Sequence, residues 1–112
     1  MSKRDDLIAK YHGVLRDKFG VEPDPALLDK VVKACGPSIY NPDGEVVATS
    51  KPEELAAVRR FATNKLGVGD EAKIDAAIDK VIEEYGRSTR NKFRAVMYYR
   101  LAQHLGKESA LT

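Results

Sequence analysis

Apolar residues recur at helical spacing through most of the chain. Leu7, Ile8, Tyr11, Val14, Leu15 and Phe19 fall three and four residues apart and share one helix face, which Gly20 ends. Ser2 with Asp5 reads as a capping box at its start. Asp24 then Pro25 is an N-cap followed by proline in the first turn, and Leu27, Leu28, Val31, Val32 and Cys35 form the second stripe, closed by Gly36-Pro37. A third helix runs from a capping box at Ser50 and Glu53 through Leu55, Val58, Phe61, Ala62 and Leu66 to Gly67. Asp70 caps a fourth, with Ile74, Ala77, Ile78, Val81, Ile82 and Tyr85 on one side and Gly86 after it. Ser88 or Thr89 caps a fifth, which Gly106 closes. The pattern predicts an all-α fold, a compact bundle of about five helices.

Residues 37–49 break the pattern. Asn41-Pro42-Asp43-Gly44 is a turn signature, flanked by Ile39, Tyr40, Val46 and Val47. An ordered loop or a short hairpin is expected there, its apolar side chains packed on the helices because an isolated hairpin is marginal. The chain also resembles itself. Asp29 to Asn41 aligns without gaps on Asp79 to Asn91, and Lys18-Phe-Gly-Val21 resembles Lys65-Leu-Gly-Val68. That suggests two duplicated helix-turn-helix halves, about 3–49 and 50–106, neither able to bury its stripe alone. Shared amphipathic patterning explains part of the match.

At 112 residues the chain is one domain, long enough for a real core. Its net charge of +2 argues for no polyanion by itself, but the charge is segregated. Residues 87–107 hold six cations and no anion, with Phe93, Tyr98 and Tyr99 among them. Residues 70–86 hold six acids against two lysines, a net of −4 that could neutralise the basic stretch inside one fold. Cys35 is the only cysteine, so no intrachain disulfide forms. The N-terminus lacks the apolar stretch of a signal peptide, and no run is long enough for a membrane span. A cytoplasmic protein with no membrane partner is expected.

Little in the chain reads as catalysis. Cys35 ends a helix, where the dipole disfavours a thiolate, and it lies on the apolar stripe, so a buried structural thiol is expected. His12 and His104 have no companion at ligand spacing and read as ordinary helix residues. A calcium loop centred on Gly44 fails, because Ile39 and Ser50 stand where acids are needed. Gly67-Val68-Gly69 faintly resembles the hairpin of phosphate-binding helix-hairpin-helix modules, but Asp70 and Glu71 follow at once, and a helix cap explains it better. Neither a metal nor a cofactor is implied.

The best candidate is an anion site at the start of the fifth helix, made by Arg87, Ser88, Thr89, Arg90 and Lys92 around free first-turn amides. The plainer reading is a hydroxyl cap with the arginines bound to acids of the fourth helix. Arg94 falls inside the apolar arc, so a buried charge is expected there, paired with a carboxylate on another helix or a second subunit.

Cys-Gly-Pro-Ser-Ile-Tyr-Asn at 35–41, Arg-Asn-Lys-Phe-Arg-Ala-Val-Met-Tyr-Tyr at 90–99 and the opening eleven residues resemble a family of small bacterial proteins catalogued only as domain of unknown function 2853. The resemblance implies a small stand-alone helical protein and no assigned activity or site residue. The leading expectation is a non-enzymatic protein acting through protein contacts or self-association, because the fifth helix is apolar on more sides than one core face needs. The alternative is nucleic-acid or phosphate binding through the basic start of that helix, with nucleic acid not favoured.

Overall fold

In the computed structural model, which describes residues 3–89 and 92–111, six helices form an all-α bundle: α1 (Lys3–Phe19), α2 (Pro25–Cys35), α3 (Pro42–Glu45), α4 (Pro52–Asn64), α5 (Glu71–Tyr85) and α6 (Arg94–His104). Short 3-10 turns cover Gly36–Tyr40 and Glu108–Ala110. Asp24 accepts from the amides of Ala26 and Leu27, and Asp70 from those of Ala72 and Lys73, so both acids cap as expected. Each such cap is worth about 1 kcal/mol. Gly67 adopts φ 71° while the Val68 amide bonds back to the Ala62 carbonyl, the glycine cap expected there.

α6 is the axis of the molecule. It packs against each of the other five helices. Ala95, Val96, Met97, Tyr98, Tyr99, Leu101 and Ala102 are all buried along it. The breadth of its apolar arc is thereby met within one chain. Leu15 and Tyr11 of α1, Leu28 and Val31 of α2 and Ile74 and Val81 of α5 close around it in one core. The Tyr99 hydroxyl accepts from the Asp24 amide, tying the start of α2 to the axis.

Three local expectations are corrected. No hairpin forms at 37–49. Asn41 caps α3 by accepting from the Asp43 amide, Pro42 opens that one-turn helix, and Val46 makes an antiparallel bridge to Phe93, far along the chain. The turn signature therefore becomes a helical turn, and its apolar neighbours Ile39 and Val47 are buried in the shared core. Ser50 caps nothing: α4 opens after Lys51, with no side-chain cap bond. The last helix begins at Arg94, not at Ser88 or Thr89. Residues before it are drawn into tertiary bonds, since the Lys92 carbonyl accepts from the Val47 amide and the Phe93 amide donates to the Tyr85 hydroxyl. Ser2, expected in the first capping box, lies outside the described residues.

Candidate functional site

The basic turn before α6 is tied into the fold. Lys92 is buried, and its ammonium donates to the carbonyls of Arg87 and Thr89, at 3.1 and 2.6 Å. Burial, with help from the Arg87 charge, holds its pKa below the ordinary lysine value. Thr89 Oγ1 donates back to the Tyr85 carbonyl, and Arg87 pairs with Glu83 one helical turn earlier. Ser88 and Arg87 remain exposed, and with Thr49 and Ser50 they border a depression of about 290 Å3. Arg90 lies outside the described residues.

The other arginines of this stretch find carboxylates on neighbouring helices. Arg94 donates to Glu54 of α4 at 2.9 Å, to the Gly44 carbonyl at 2.8 Å and to the Tyr98 hydroxyl at 3.0 Å. The buried charge expected at Arg94 is thus satisfied within one chain. Burial works against its charge, but the bonds to Tyr98 and Glu54 outweigh it and raise its pKa. Arg100 reaches Glu84 of α5 at 2.9 Å, and His104 Nε2 lies 2.6 Å from the other oxygen of the same carboxylate. Burial tends to raise the Glu84 carboxyl, yet the bonds from Arg100 and His104 prevail and hold it below the ordinary value. The acidic α5 therefore neutralises the body of α6 at one carboxylate that serves two partners.

What remains free lies elsewhere. Among the described arginines, Arg60 is the one without a carboxylate in reach. It stands on a groove between α2 and α4. These two helices each pack on α6 and hardly touch one another, and small residues line the gap between them: Ala34 and Cys35 on one wall, Ala57 on the other. The groove has two adjoining lobes. One, of about 420 Å3, is floored by Phe61 stacked on Tyr98, with ring centroids 3.9 Å apart and an interplanar angle of 11°, and is bordered by Arg60, Lys65 and Arg94. The other, of about 410 Å3, is bordered by Lys30, Lys33 and Lys65. Among the described residues, no Asp or Glu lines either lobe. The three lysines are exposed and unpaired. Cys35 sits in the apolar lobe, and burial pushes its thiol up to about 12.

Residues 10–109 match a family described as a protein of unknown function (DUF2853). The chain belongs to that family. The match takes in two of the three segments that carried the resemblance, 35–41 and 90–99, and only the last two of the opening eleven residues. No curated protein matches the chain. The family description assigns no activity, so a functional reading of this DUF2853 member has to come from its own surfaces.

Reading the sequence for a contiguous run of cations found residues 87–107 and missed the groove. Its cations are split between α2 and α4, and they converge only because both helices lean on α6. A weaker trace was present: Lys30, Arg60 and Lys65 have no acid three or four positions away, so no partner on their own helices can neutralise them. Lys33 does have Asp29 four positions earlier, but Arg4 takes that carboxylate.

Proposed function

We propose that this protein is a non-enzymatic binding module whose partner is anionic, engaged by the basic groove between α2 and α4. One observation carries the reading: Lys30, Lys33, Arg60 and Lys65 converge on a concave surface with no Asp or Glu among the described residues that line it. A set of cations without internal partners attracts anions and focuses field into the cleft. The non-enzymatic part is supported by the way the reactive groups are engaged. Cys35 is held as a thiol by burial, and His104 is bound to Glu84. The case for self-association weakens, because the apolar faces of α6 are covered by its own bundle. Tyr40 is the large apolar side chain left exposed among the described residues.

The turn at 87–92 is the second anion candidate. Exposed Arg87 and Ser88 support it, but Glu83 and the turn's own carbonyls compete with any ligand for Arg87 and Lys92.

Poly-L-glutamate titrated into the protein tests the reading. Binding is expected at low salt and is expected to weaken steeply as salt rises, because surface charges are screened beyond about 10 Å at 0.1 M. Replacing Lys30, Lys33, Arg60 and Lys65 together by Gln should abolish it, whereas Arg87→Gln should leave it intact. Absence of binding at low salt would overturn the proposal, and loss on Arg87→Gln alone would move the site to the turn.

A further inference from the structure

The groove is more than a patch of positive charge, since its two lobes differ in chemistry. One has an aromatic floor of Phe61 on Tyr98, with Ala34, Cys35 and Ala57 on its walls. The adjoining one is edged by Lys30, Lys33 and Lys65. Lys65 borders both, and Arg60 stands at the rim of the apolar lobe. A ligand that fits both lobes has an apolar body next to a strongly anionic head. At about 420 Å3 the apolar lobe is within the range of small-molecule sites, roughly 300–1,000 Å3, and such sites combine apolar walls with a few placed polar groups.

Resting on the anionic-partner reading, we propose that the groove binds a small organic phosphate, with its apolar body on the Phe61–Tyr98 floor and its head between Lys65, Lys30 and Lys33. A phosphate monoester suits this set better than a carboxylate. It carries close to two charges at neutral pH and three acceptor oxygens, enough to engage several ammonium groups at once. Lysine binds phosphate as a point charge without demanding one planar geometry, which fits three flexible side chains arriving from two helices. Arg94 also borders the apolar lobe, but Glu54 and the Gly44 carbonyl fix its guanidinium. It contributes to the wall and holds no free charge for the ligand. The Cys35 thiol, kept neutral by burial, adds apolar surface and no repulsion.

The test uses phenyl phosphate as the probe, with inorganic phosphate and benzyl alcohol as its separated head and body. Amide shifts followed by NMR on the full chain report both affinity and place. Phenyl phosphate should move the amides of Ala34, Cys35, Ala57 and Phe61 and bind at least about tenfold more tightly than either fragment, as expected when both lobes contribute. Lys65→Gln with Arg60→Gln should remove most of that affinity, and both side chains are exposed, so the fold should persist. Ala57→Leu should fill the apolar lobe, blocking phenyl phosphate while sparing poly-L-glutamate. Equal affinity for phenyl phosphate and inorganic phosphate would overturn the proposal, as would amide shifts confined to 87–92. Binding of poly-L-glutamate without phenyl phosphate would sink the ligand class and leave the anionic-partner reading standing. Failure of both would remove both.

Discussion

Single atoms fix several positions in this fold. A Cβ on Gly44 would lie 2.5 Å from the Ser38 carbonyl oxygen, so the glycine is required where α3 crosses the preceding turn. The Cβ is fixed rigidly to its Cα and the oxygen belongs to the backbone, so neither can swing away. Gly44→Ala should therefore cost about 2 kcal/mol, the range for overpacked sites, measured by urea unfolding. Tyr99 is fully buried, and its hydroxyl is the partner of the Asp24 amide. Tyr99→Phe should cost about 1 kcal/mol by leaving that donor unsatisfied. An unchanged midpoint would mean that water replaces the hydroxyl. Neither requirement was readable beforehand. The turn signature at 41–44 announced a glycine, but the atom it avoids belongs to a residue six positions earlier. Tyr99 read as one more apolar position on a stripe.

Between elements, the decisive contacts are hydrogen bonds from α6 side chains to carboxylates of its neighbours. Arg94 to Glu54 joins it to α4, and Arg100 with His104 to Glu84 joins it to α5. The buried character of Arg94 followed from the helical wheel, and so did the need for a carboxylate. The choice of Glu54 depended on how α4 lies across α6. Glu84 gives the pairing a pH signature. Its carboxyl lies below the ordinary value of 4.5 in the folded chain. Its contribution is therefore complete above that value and is lost as pH falls through the lower, folded pKa. Glu84→Gln should destabilise the protein by about 2 kcal/mol at pH 7, because Arg100 is left largely buried without its partner. The variant should also lose less stability than the parent as pH falls below 4.5, because it has no carboxylate to protonate there. Parallel pH curves for the two proteins would show that Glu84 does not carry the acid sensitivity. The Cys35 thiol, held near 12, should stay protonated across neutral pH.

For the whole molecule, the question is which cations hold the fold and which face outward. Among the described residues, six arginines have carboxylate partners, and Arg60 does not. Replacing Lys30, Lys33, Arg60 and Lys65 by Gln should shift stability by no more than about 0.5 kcal/mol, the usual range for surface changes away from specific contacts. Loss of poly-L-glutamate binding with stability intact would separate a binding role from a structural one. A large loss of stability would instead make these residues part of the scaffold. The sequence by itself determined the all-α class, the acid caps at Asp24 and Asp70, the glycine stops and the apolar stripes. Each of these depends on residues within a turn or two of one another. Tertiary structure decided where α6 begins, which carboxylates meet its arginines, and that its broad apolar arc is covered from within. It also decided that four unpaired cations, Lys30, Lys33, Arg60 and Lys65, meet between α2 and α4. All of these depend on how one helix crosses another, a property set by the packing of side chains distant along the chain and therefore invisible to any local pattern.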